Sequence, residues 1–407
     1  MDKRLSRLEA GVDFPLTVKA LVLSREYPPH VYGGAGVAVD QLTRALGRRL
    51  AVEVRCFGQP DPGPAGVLVR GYRAWDQLAP GPEGPRFAAA LEVLSVGLAM
   101  ARDATDADVV HAHTWYVSLA GYLMRALYRI PLIVTLHSLE PLRPWKADQL
   151  GSGYLVSTWA EKSAVEVAER VIAVSAAMRE DILRHFTVAP ERVAVVHNGI
   201  DPDRYRPTDR REALARHGVR PPYVLFVGRL SEQKGLFYLL EATRALAPDV
   251  QVVLCTTSPD TGEIAGRFER AVAGHPRAHW IRAMLPVDEV IQLYSHAAAF
   301  VCPSIYEPFG LINLEAMGCA APVVASAVGG IPEVVVPGET GILVPPGQSD
   351  GLARALQWLL DHPAEARAMG RAGRSRAEKH FSWAYVAERT EHVYAEAIAA
   401  FRSSPAR

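Results

Sequence analysis

The chain has 407 residues, of which 49% are apolar and 22% charged, with 44 basic groups against 44 acidic ones. That length suits about two domains, and the composition is that of an ordinary globular enzyme. The even charge balance excludes a broad nucleic-acid or anionic-membrane surface, so any phosphate affinity must come from local groups. Cys56, Cys255, Cys302 and Cys319 form no CxxC pair and read as reduced thiols of a reducing compartment. Residues 1–15 lack the apolar run of a signal peptide, and no segment approaches the ~20 apolar residues of a membrane helix, so the expected location is the cytoplasm.

Residues 18–23 read as a buried strand, followed by a loop containing Gly33, Gly34 and Gly36, then a helix with Ala38, Leu42, Ala45 and Leu46 on one stripe. This is the opening unit of a Rossmann-like domain, although the glycines do not match the dinucleotide fingerprint GxGxxG. Gly33 and Gly34 either make a tight turn or let a phosphate or sugar approach the backbone, and both readings stay open. A second strand is expected at 52–57. The Gly- and Pro-rich stretch 58–85 comes too early for a linker and reads as an elaborated loop with a short strand at 66–72.

A helix with Phe87, Leu91, Leu94 and Leu98 in register comes next, then strands at 108–113 and 130–136. Ligands of open parallel sheets sit beyond the carboxyl ends of strands, where His113, Thr114, Trp115 and His137 fall. His111 and His113 lack a third ligand at metal spacing, so no metal site is expected. His137 taken alone is as readily structural as functional. Arg143 and Lys146 flank Trp145 in a proline-broken loop. That loop is either solvated with one packed aromatic, or an acceptor site with charge for a phosphate and a ring for a sugar face.

A strand at 193–196 closes the first domain, and Asn198-Gly199 with Pro202 punctuates a crossing between domains. Asp201-x-Asp203 sits in that crossing and reads as a turn. The alternation then repeats, with strands at 223–227, 250–255, 278–282, 298–302, 322–325 and 341–344. Arg229 and Lys234 occupy the loop after the first of these, where two cations can reach one diphosphate. Between Ser304 and Glu315 a strand runs into a loop carrying Glu307, and Gly310 opens a helix carrying Glu315. The first amides of that helix, near Leu311 and Ile312, lack intrahelical partners and favour an anion. Two carboxylates around such a helix start suit a diphosphate with polyol ends, as in a nucleotide sugar. Three helices finish the chain, and the last carries Val386, Val393, Tyr394, Ala397 and Phe401. The expected division is 1–198, an acceptor-side domain; 199–382, a nucleotide-sugar domain; and 383–407, a helix returning to the first.

The Glu307-x7-Glu315 pair, the Gly228-Arg229…Lys234-Gly235 loop, the Gly33-Gly34 loop and His137 together resemble the retaining family-4 glycosyltransferases. The resemblance spans nearly the whole chain. Glu26-Tyr27-Pro28-Pro29, His111-Ala112-His113-Thr114-Trp115-Tyr116 and the run from His137 to Lys146 are similar to the actinobacterial-type glycogen synthases. It implies an α/β protein of GT-B fold, with two Rossmann-like domains facing a central cleft and a C-terminal helix crossing back to the first domain. Many of those enzymes join ADP-glucose to glucose 1-phosphate to make maltose 1-phosphate, and others extend α-1,4-glucan ends. His137, Arg229, Lys234 and Glu307 would be catalytic. Gly33, Gly34, Gly310, Leu311, Ile312 and Glu315 would bind the donor, and Thr114, Trp115, Arg143, Trp145 and Lys146 the acceptor. Neither a cofactor nor a metal is implied. Expected partners are the nucleotide-sugar donor and the glucose 1-phosphate or glucan acceptor, with a homodimer as a candidate assembly. More distant polymer-extending starch and glycogen synthases carry an acidic residue where this chain has Thr114, which favours the phosphorylated acceptor. A sucrose-type or lipid-directed enzyme of the same family, or a nucleotide-sugar epimerase on the same fold, is the alternative.

Overall fold

The computed structural model describes residues 18–76, 87–144, 146–147, 151 and 153–403. Its strands form two separate sheets. The first comprises β1 (Lys19–Leu23), β2 (Ala51–Phe57), β3 (Val67–Tyr72), β4 (Val109–His113), β5 (Leu132–Leu136), β6 (Arg170–Ala173) and β7 (Val193–Val195), in the order β3-β2-β1-β4-β5-β6-β7. The second comprises β8 (Tyr223–Leu230), β9 (Gln251–Pro259), β10 (Ala278–Ile281), β11 (Ala299–Cys302), β12 (Val323–Ser326) and β13 (Gly341–Val344), in the order β10-β9-β8-β11-β12-β13. Every neighbouring pair of the second sheet is parallel, as are the pairs from β3 through β5 in the first. Continuous apolar runs such as Ala20–Leu23 suit strands covered on both faces, which is what parallel sheets require. Strand order reverses between β1 and β4 in one sheet and between β8 and β11 in the other. Those reversals are the positions where open α/β sheets hold ligands.

Each predicted strand is present, most of them with shifted ends. The largest change for function is β8, which pairs with β9 as far as Leu230, so Arg229 lies inside the strand rather than in the loop after it. The short strand in the Gly/Pro stretch pairs in parallel with β2, Val67–Tyr72 against Val52–Phe57, and makes the sheet edge.

Helices cover these sheets through regular apolar stripes. In the second domain, α4 (Leu236–Thr243) buries Leu236, Leu239 and Leu240 against Phe226, Leu254 and Phe268. In the first, α1 (Gly34–Leu46) follows β1, α2 (Ser118–Tyr128) follows β4, and α3 (Gly153–Val167) follows β5. The helix α5 (Leu311–Gly318) follows β11, and α6 (Trp383–Ser403) ends the described chain. Among the described residues no helix is long and apolar enough to cross a membrane.

The chain divides into two compact units. One is Met1–Ile172, His185–Ala194 and Ala387–Arg407; the other is Ala173–Arg184 and Val195–Val386. Within the first, α6 buries Val393, Tyr394 and Ala397. Its Tyr394 hydroxyl meets His111 Nδ1 at 2.9 Å, and Glu391 accepts from Arg49 Nε at 2.8 Å. Within the second, Ser175 Oγ donates to the Pro308 carbonyl at 2.7 Å. The Glu333 carboxylate accepts from the amides of Ala176 and Ala177 at 2.9 and 3.2 Å.

Candidate active site

In the second domain, the loops after β8 and β11 are tied together. The Ile305 amide donates to the Gln233 carbonyl at 2.9 Å. Gly235 has φ +65°, and a Cβ there would lie 2.0 Å from the Pro303 carbonyl oxygen. Only glycine lets the two loops approach so closely. They bring Lys234 Nζ to 2.5 Å from Glu307 Oε2, with both side chains largely buried. Burial is the largest influence on the Lys234 ammonium and pulls it down, but the Glu307 charge, its hydrogen bond and Cys302 together hold the group above its ordinary range. Ser304 Oγ donates to the same Glu307 oxygen at 3.3 Å. Arg229 is paired with Asp260, 3.3 Å from Oδ1, and remains about a third exposed at 37%.

Gly310 adopts φ +97° and caps α5, so the amides of Leu311 and Ile312 open the helix with no carbonyl a full turn behind them. Glu315 is anchored on both oxygens, accepting from Tyr205 at 3.1 Å and Tyr294 at 3.1 Å. Burial raises its carboxyl above the ordinary range, and the two hydroxyls oppose that shift. The backing of Glu307 is the turn at Gly329-Gly330, whose Gly330 amide donates to the Glu307 carbonyl at 3.1 Å. Tyr205, Tyr294, Asp260 and this turn hold candidate site residues and were not singled out by the sequence reading. Asp260 follows the strand adjacent to β8 and could have been found from strand order; Tyr205 lies in an irregular segment with no local signal.

In the first domain, Gly33 is extended, with φ −157° and ψ −178°, and nothing lies within 4 Å of where its Cβ would be. Neither backbone geometry nor protein packing asks for glycine there, and the space beside it is open. The Gly33 amide is occupied, however. Glu26 Oε2 accepts from it at 2.9 Å and from the Tyr32 amide at 2.7 Å, and Gly34 begins α1.

His113 ends β4 and His137 follows β5, while His111 lies buried in the middle of β4. His111 has both ring nitrogens engaged, with Tyr394 at 2.9 Å and Thr135 Oγ1 at 2.7 Å. That makes it structural. His113 Nδ1 meets His137 Nε2 at 3.0 Å. Burial lowers His111 to about 3 and His137 to about 4, and pushes His113 well below the imidazole range. All three rings are therefore neutral at pH 7. Among the described residues no group of three or more His, Cys, Asp or Glu side chains could hold a metal ion.

This burial sets a pH dependence. The unfolded chain binds a proton on His111 below about pH 6.5, while the folded chain does so only near 3, and the lowered His113 acts in the same direction, so stability falls as pH drops below about 6.5. His111, which is fully buried, should by itself remove roughly 2 kcal/mol between about pH 6.5 and 5. Urea unfolding at the two pH values checks it, and equal midpoints would contradict it.

Thr114 has φ +68° and ψ 165°, a conformation costing ~1–3 kcal/mol for a β-branched residue. Such strain at the carboxyl end of β4 marks a constrained site. Trp115 is only 3% exposed, with its ring stacked on Tyr116 at 4.2 Å, so Tyr116 is the ring left half-open. Arg143 is largely committed inward, 3.6 Å from Glu140 Oε1 and donating to Ser138 Oγ at 3.1 Å. Glu140 is itself clamped by α3, where Ser157 Oγ donates to its carboxylate at 2.8 Å and the Glu161 carboxylate accepts from its amide at 2.9 Å. Lys146 donates to the Tyr116 hydroxyl at 3.4 Å, and Trp145 lies outside the described residues.

Residues 209–376 match the model for glycosyl transferases group 1, and residues 32–204 match glycosyltransferase family 4. Alpha-maltose-1-phosphate synthase of Mycolicibacterium smegmatis is 47% identical over 393 residues, covering 93% of this chain and 99% of that protein. Glycogen synthase of Mycobacterium tuberculosis is 32% identical over 414 residues, covering 93% and 94%. Among solved structures, sucrose-phosphate synthase from Thermosynechococcus elongatus superposes with a TM-score of 0.77 at 26% identity, covering 94% of this chain and all of that one. With two parallel Rossmann-like sheets and these relatives, the chain belongs to the family-4 glycosyltransferases of GT-B fold and is a hexosyltransferase.

Proposed function

We propose that the protein is a retaining glucosyltransferase that moves glucose from ADP-glucose to glucose 1-phosphate, giving maltose 1-phosphate, or to α-1,4-glucan ends. The observation that carries this reading is the buried, charged Lys234 held beside Glu307, with Arg229 on the neighbouring strand end. Two fixed cations suit a diphosphate gaining negative charge as the sugar leaves, and each such contact is worth ~2–4 kcal/mol in the transition state. Leu311 and Ile312 would offer amides to the phosphates, and Glu315, oriented by two tyrosines, would hold ribose hydroxyls. Glu307 would contact the donor sugar. The bond from the anomeric carbon to the diphosphate oxygen breaks, and a bond to the acceptor hydroxyl oxygen forms on the same face. The hydroxyl proton passes to the leaving phosphate oxygen. A neutral His137 supports a cationic sugar, where an imidazolium would repel it.

The relatedness to alpha-maltose-1-phosphate synthase over nearly the full chain supports the phosphorylated acceptor. The four cysteines, all free and buried, support a reducing, cytoplasmic setting. The test is one incubation series crossing ADP-glucose and UDP-glucose with glucose 1-phosphate and glycogen. The expected main product is maltose 1-phosphate from ADP-glucose. Ready extension of glycogen with no maltose 1-phosphate would overturn the acceptor assignment.

A further inference from the structure

The loops after three adjacent strands of the first sheet each send one residue to the same place. Arg25 follows β1, Tyr116 follows β4 and Lys146 comes after β5. The Arg25 guanidinium lies over the Tyr116 ring, 4.1 Å from its centre, and Lys146 Nζ lies 5.9 Å from that centre and 3.4 Å from the hydroxyl. Two cations thus converge on one half-open ring, and among the described residues no carboxylate is paired with either. The ring attracts both cations, and their summed positive charge there suits an anion. Arg143, the other basic residue of this region, is neutralised by Glu140 and turned inward.

We infer that Arg25 and Lys146, aligned on Tyr116, form the pocket that recognises the phosphate of the acceptor and so select a sugar phosphate over a bare glucan end. The inference deepens the function proposed above and rests on it. A phosphomonoester carries ~1.5–2 negative charges at neutral pH and can accept from a guanidinium and an ammonium together. An uncharged glucan end gains nothing from them. Arg143 then acts as a positioning residue for the loop that carries Lys146.

The test compares kcat/KM for glucose 1-phosphate with that for unphosphorylated maltoheptaose, both at saturating ADP-glucose. In the Arg25→Ala/Lys146→Ala variant the ratio should fall about tenfold or more, through KM for glucose 1-phosphate, while Arg25→Lys/Lys146→Arg should keep it within about threefold. A ratio unmoved in the alanine variant, or equal losses on both acceptors, overturns the inference. A wild-type enzyme that ignores glucose 1-phosphate defeats the acceptor reading instead. Calorimetry with inorganic phosphate then judges the pocket, and equal binding to wild type and the alanine variant sinks it.

Discussion

Lys234→Ala should lower kcat/KM by about 10²-fold or more, because it removes a fixed cation from the side of the reaction where charge accumulates. The same change strips Glu307 of its only cationic partner within ion-pair distance among the described residues, and leaves a carboxylate largely buried. Breaking one side of a buried pair costs ~3–5 kcal/mol, so the variant should also unfold at a lower temperature. The two effects can be separated. Adding Glu307→Gln removes the stranded charge and should restore much of the lost stability, yet it cannot return the cation to the diphosphate. Melting curves and steady-state kinetics on the single and double variants check this. A loss below about threefold in the single variant would remove Lys234 from the mechanism.

Gly235→Ala should cost activity and stability together. The position has φ +65°, and the added Cβ would sit 2.0 Å from the Pro303 carbonyl oxygen, far inside contact distance. The left-handed backbone alone costs ~1 kcal/mol or more for alanine. The larger effect is that the loops bearing Lys234 and Glu307 must move apart, and a displacement of about 1 Å can cost ~10²-fold in rate. Gly33→Ala is the matched contrast, since its backbone is extended and its surroundings are open. That variant should melt within about 1 °C of wild type, a surface-sized effect, while its KM for the donor rises. If Gly33→Ala leaves donor KM unchanged, the open space beside it does not hold the donor.

The alternation of apolar runs with glycine loops made both sheets legible, because parallel strands buried on two faces must read as continuous Val, Leu and Ala segments. Lys234 and Glu307 were each legible as residues of loops after strands. Their pairing was not, since 73 residues separate them and nothing local encodes the contact. Arg229 shows the limit at element ends: its place inside β8 depends on pairing with β9, a property of the neighbouring strand. In the acceptor region, residue type says less than environment. Trp115 and Arg143 look like the ring and the charge a sugar phosphate needs, but burial on one and Glu140 on the other commit them to the fold. In the pocket inferred above Tyr116 and Arg25 would take those places, through a contact that crosses strands and leaves no mark on spacing.

The resting contact between Lys234 and Glu307 has a consequence for selectivity among anions. A lysine that already has a resident carboxylate enters each cycle by exchanging one anion for another, so an incoming phosphate must outcompete a tethered rival. Inorganic phosphate or sulfate, meeting that rival with one contact, stays at a disadvantage. A nucleotide sugar brings its diphosphate, ribose and hexose at once and can meet Glu307 with hydroxyls as it takes over the ammonium. Because ions in solution weaken the old contact along with the new one, the exchange is also shielded from changes in salt. On the function proposed above, the carboxylate would work as an occupancy check, yielding the cation to ligands that can engage both partners.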